Sequence, residues 1–86
     1  MNIIPYNVPG QCCDFRLSSS LTKTQIEQIL GFEPNVKDDP YKVKNSWGFK
    51  VDGMHCGIWD YKGLPWSAYG PEEVFIKLFG EENIIP

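Results

Sequence analysis

The scarcest residues narrow the chemistry of this chain first. Its 86 residues include one histidine, His55, and three cysteines, Cys12, Cys13 and Cys56. Structural zinc takes about four ligands in characteristic spacings. Cys12, Cys13, His55 and Cys56 could supply them, but no C-x-x-C or H-x-x-x-H pattern is present. An odd cysteine count with two cysteines adjacent argues against a disulfide framework, because neighbours fit disulfide geometry poorly; a reducing compartment follows. His55 and Cys56 are neighbours on a strand, so their side chains leave opposite faces and cannot form a dyad. There is no G-x-G-x-x-G and no G-K-[ST] to cradle phosphates. The acid pairs Asp38-Asp39, Glu72-Glu73 and Glu81-Glu82 read as a loop, the first turn of a helix and a solvated tail. The expectation is no enzyme, no metal and no cofactor.

Positive charge is also short. Eight Lys and Arg stand against eleven Asp and Glu, a net charge of −3. The basic residues are scattered, Lys42-Val-Lys44 being their densest run, whereas a nucleic-acid binder carries a basic patch or stripe. No apolar run approaches the roughly 20 residues of a membrane helix, and the start has neither the charged leader nor the apolar core of a signal peptide. These readings disfavour nucleic acid and membrane and favour the cytoplasm.

Aromatic residues are plentiful, at 14%. A domain this small buries only about 60–65% of its unfolded surface, and aromatic rings supply much burial per residue. One domain is expected over 1–86, with an extended arm at 1–12 and a tail at 81–86. Cys13 to Ser19 alternates as a short strand. Thr22 with Gln25, or Thr24 with Glu27, fits a capping box for a helix over about 23–30, with the stripe Leu21, Ile26, Ile29 and Leu30 and Gly31 at its end. Pro34 and Pro40 bracket a loop.

The strongest local signal is Asp52-Gly53 between two alternating runs, which specifies a hairpin with a type I′ turn. It pairs Val51 with Met54, Phe49 with Cys56 and Trp47 with Ile58 on one face. Lys50 with His55, Gly48 with Gly57 and Ser46 with Trp59 then share the other. A second turn over Asp60–Gly63, read as a three-residue loop with a bulge, pairs Ile58 with Trp66 and puts Trp66 and Ala68 with the apolar set; another loop length would turn Trp66 over beside Trp59. Pro71 opens a second helix bearing Val74, Phe75, Leu78 and Phe79, and Gly80 closes it. The fold class is α+β: a three-stranded antiparallel meander over about 43–69, joined or not by a fourth N-terminal strand, with two helices packed on one face.

Paired glycines inside strands mark a bulge or a close approach. Either Trp59 folds over Gly48 and Gly57 as an internal lid, or the pair floors a groove with an aromatic wall. Ser46-Trp-Gly-Phe-Lys-Val-Asp-Gly53, Ile58-Trp-Asp-Tyr-Lys-Gly63 and Trp66-Ser-Ala-Tyr-Gly-Pro71 together resemble small uncharacterised proteins of bacteriophages and mobile elements, over about 45–80. The resemblance carries no activity. It implies a setting in the host cytoplasm, where such acidic proteins often inhibit host or defence machinery by binding. The expected surface is Lys50, His55, Trp59 and Tyr61, with Tyr41 and Tyr69 as neighbours, since Trp and Tyr are common interface anchors. A protein partner is expected. The alternative is a nucleotide-like ligand stacked on Trp59 or Trp66, in a homo-oligomer held by the apolar ends, 2–10 and 81–86.

Overall fold

A computed structural model describes residues 2–7, 12–37 and 41–85. Parts of the expected arm, the acid pair Asp38-Asp39 and Pro86 lie outside the described residues. In chain order the elements are β1 (Ile3–Pro5), β2 (Phe15–Leu17), α1 (Lys23–Leu30), β3 (Ser46–Val51), β4 (Met54–Trp59), β5 (Trp66–Tyr69), α2 (Glu72–Phe79), a 3₁₀ turn (Glu81–Asn83) and β6 (Ile84–Ile85).

The α+β class holds, but the strand count does not. Among the described residues the sheet has six antiparallel strands in the order β1-β3-β4-β5-β2-β6, instead of three or four. The meander is its centre. β1 lies against β3, and β2 docks on β5 and carries β6 on its outer edge. The added strands have only two or three residues. β2 is the alternating strand expected within Cys13–Ser19, with Phe15 and Leu17 buried and Arg16 exposed, whereas β1 and β6 are too short to show alternation and pair with segments distant in the chain. The ends proposed for pairing with another subunit are thus used within the chain at Ile3–Pro5 and Ile84–Ile85.

Asp52 and Gly53 both have positive φ, 50° and 84°, as a type I′ turn requires. The β3–β4 register follows as expected, including Lys50 with His55, Gly48 with Gly57 and Ser46 with Trp59. Asp52 also anchors β1: its Oδ1 accepts from the Asn2 N–H, and its own N–H donates to the Asn2 carbonyl, both at 3.0 Å. The second connection is longer than expected. Ile58 pairs with Ala68, not Trp66, because the loop runs on through Leu64 and Pro65 before β5 begins. This shift of two residues preserves parity, so Trp66 still faces the core. Pro71 stands at the N-cap of α2 and not inside it.

One core joins Trp47, Phe49, Val51, Cys56, Ile58, Trp66 and Ala68 of the meander to Ile26 and Leu30 of α1 and Val74, Phe75 and Phe79 of α2. Both helices therefore lie on one side of the sheet. Ile29 is off the buried stripe, at 36% exposed, and Met54 lies open at the hairpin tip. The Thr22–Gln25 capping box forms, and Gly31 ends α1 in the left-handed conformation.

Two indoles bracket α1. Trp66 Nε1 donates to the Leu21 carbonyl just before the helix at 2.8 Å, and Trp47 Nε1 donates to the Phe32 carbonyl just after it at 3.1 Å. The two rings meet edge to face with centroids 5.6 Å apart. A buried indole needs a partner for its N–H, and the ends of α1 supply both. Trp66→Phe removes the donor, orphans a carbonyl and opens a void. It is expected to lower unfolding free energy by about 2 kcal/mol in a denaturant titration; a loss below about 0.5 kcal/mol would show that the bracket carries little stability.

Candidate interaction surface

Strand alternation delivers a second set of side chains to the face away from the helices. One row crosses it from Ile4 through Lys50 to His55. A second holds Tyr6, Gly48, Gly57 and Tyr69, with the Tyr6 N–H donating to the Gly48 carbonyl at 2.9 Å. A third runs Ser46, Trp59, Ser67 and Arg16. Of the six expected surface residues, the structure brings Lys50, His55, Trp59 and Tyr69 onto this face. Tyr41 and Tyr61 belong to loops at the end where β3 begins and β4 finishes, so they form a separate locus.

Trp59 is half-buried, with its ring over Gly57: a Cβ built on Gly57 would meet its six-membered ring at 3.5 Å. That is ordinary van der Waals contact, so the ring does not by itself demand glycine there. The internal-lid reading accounts for this part of the face. Trp66 is only 3% exposed and lies in the core, which removes it as a platform for a ligand base.

Tyr6, which was not among the expected residues, organises the exposed end. The Lys50 ammonium lies 4.0 Å from its ring centroid, and the His55 ring is 5.2 Å away. A cation over an aromatic face contributes roughly 0.5–1 kcal/mol when exposed. The only sequence signal for Tyr6 is its parity relative to Ile4, which means nothing until β1 is known to pair with β3.

Two polar residues also went unrecognised. Asn35 mimics a strand beside Gly48: its Nδ2 donates to the Gly48 carbonyl and its Oδ1 accepts from the Gly48 N–H, both at 2.9 Å. Asp60 is buried at 8% exposure. Its Oδ1 accepts from the N–H groups of Lys44 at 2.8 Å and Asn45 at 2.9 Å, and its Oδ2 accepts from Asn45 Nδ2 at 3.0 Å. Spacing reveals neither role, because both join segments distant in sequence.

Among the described residues no group of three His, Cys, Asp or Glu side chains could hold a metal ion, and no helix is long and apolar enough to cross a membrane. All three cysteines are free; Cys12 and Cys13 are exposed and Cys56 is buried. The chain matches no family model, no curated protein and no solved structure.

Burial pushes the Cys56 thiol up from 9.0 to about 11. It is therefore protonated at neutral pH and a poor nucleophile. The unfolded chain loses this proton first, so Cys56 lowers stability as pH rises from about 9, with the loss levelling off above about 11. The full contribution is on the order of 2–3 kcal/mol. Thermal melts of wild type and Cys56→Ala should diverge across that window, with wild type falling more steeply; parallel curves would show that the thiol titrates alike in both states.

Proposed function

We propose that this chain is a binding protein whose partner, another protein, docks on the sheet face opposite the helices. In the setting implied by its resemblance to bacteriophage proteins, such a module inhibits a host or defence protein by occupying its surface. The observation behind this reading is that both helices share one side of the sheet, while the other presents Tyr6, Lys50 and His55 together beside Trp59. Exposed Ile4 and Tyr6, at 49% and 42%, give the patch apolar area, and Lys50 gives it charge. A partner of matching chemistry offers an apolar anchor flanked by a carboxylate. Aromatic anchors in such patches commonly carry about 2 kcal/mol or more of binding energy each.

Affinity capture from the natural host tests this with three baits: wild type, Lys50→Glu and Lys77→Glu. Lys77 is exposed on α2, across the sheet. A protein retained by wild type and Lys77→Glu but lost with Lys50→Glu is the expected outcome, and Tyr6→Ala should then weaken that complex about 30-fold. Equal capture by all three baits, or none by wild type, overturns the reading.

A further inference from the structure

Beyond that face, a second feature stands at the end of the sheet where β3 begins and β4 finishes. Tyr41, Lys42, Lys44, Asp60, Lys62 and Gly63 line a groove of about 400 Å³. We propose that this groove binds a polyphosphate group, either an inorganic chain or the phosphate tail of a nucleotide.

The groove is built from two segments that Asp60 fastens together. Besides the three bonds its carboxylate accepts, the Asp60 N–H donates to the Asn45 carbonyl at 3.2 Å, and the Lys62 N–H donates to the Lys42 carbonyl at 2.7 Å. The backbones carrying Lys42, Lys44 and Lys62 are therefore held in one frame. This preorganisation lowers the ordering cost of binding.

The charge balance selects the ligand. Three lysines line the groove in a chain whose net charge is −3, and the Lys62 ammonium lies 5.4 Å from the ring centroid of the neighbouring Tyr61, within reach of the same space. Asp60, the carboxylate in the lining, is buried and takes its hydrogen bonds from backbone and amide groups. Among the described residues the ion pair is Lys23 with Glu27, so no described carboxylate pairs with these lysines. Asp38 and Asp39, close by in sequence, lie outside the described residues. Lysine is a point-charge phosphate binder, and three in a small volume match the several negative charges of a short polyphosphate better than one carboxylate. The groove falls within the roughly 300–1,000 Å³ usual for small-ligand sites.

Isothermal titration at low salt with tripolyphosphate, ATP and adenosine tests the assignment. Binding of tripolyphosphate and ATP, weakening as salt rises, is expected. Tighter binding of ATP would assign the nucleotide as the source of the phosphate; equal binding would assign the inorganic chain. Lys42→Ala and Lys62→Ala should each weaken binding about tenfold. Their exposed side chains should leave the melting temperature near wild type. Lys50→Glu, on the other surface, separates this site from the protein-binding reading: its effect here should stay below about threefold, the scale of a remote charge. Absence of heat with both phosphorylated ligands, binding of adenosine alone, or affinity unchanged in both lysine variants overturns the proposal.

Discussion

Two consecutive positive φ angles close the β3–β4 hairpin at Asp52 and Gly53 and divide its side chains into two sets. Trp47, Phe49, Val51, Cys56 and Ile58 go to one side; Ser46, Gly48, Lys50, His55, Gly57 and Trp59 go to the other. Because the side-chain period of a strand is two, a slip of one residue would put two large rings into water and a lysine into the core. Helix docking, the indole bracket around α1 and the composition of the outer face all presuppose that parity. The Asp52 backbone and carboxylate also hold Asn2, so the same turn fixes where β1 attaches.

A small core leaves little room for unpaired polar groups, and the structure meets this with long-range hydrogen bonds. The indoles of Trp47 and Trp66 are satisfied by carbonyls on either side of α1. On the outer edge of β3 just past the end of β1, Asn35 gives the Gly48 N–H the acceptor a neighbouring strand would otherwise supply, and shares the Gly48 carbonyl with the Tyr6 N–H. Asp60 does comparable work between the segment leading into β3 and the segment leaving β4. An unsatisfied buried group costs about 1–3 kcal/mol, a large share of the margin available to a domain this small.

These internal ties also separate two outward-facing regions. The sheet face combines rings and a lysine around Tyr6, and its chemistry suits a protein surface with an apolar anchor. The loop end gathers lysines over a buried, hydrogen-bonded aspartate, and its chemistry suits a compact anion. Tyr41 and Tyr61, grouped in sequence terms with Lys50, His55, Trp59 and Tyr69, belong to this second region because the strands carry them past the end of the sheet.

Local sequence determined what short-range physics controls. Asp-Gly set the hairpin and its parity, Thr22 with Gln25 and Gly31 set the limits of α1, and alternation sorted the core of the meander from its outer face. The β4–β5 register came out two residues away because the length of an irregular loop is not written in its turn residues, although parity survived. Tertiary structure decided the rest. β2 was legible as a short alternating run, but its place beside β5 was not; β1 and β6 are too short to be strands by themselves, and they exist because β3 offers an open edge to β1 and β2 offers one to β6. Tyr6 joined His55, and Lys42 joined Lys62, only when segments far apart in the chain were hydrogen-bonded together. Such meetings depend on the closure of the whole sheet, which no local pattern of residues encodes.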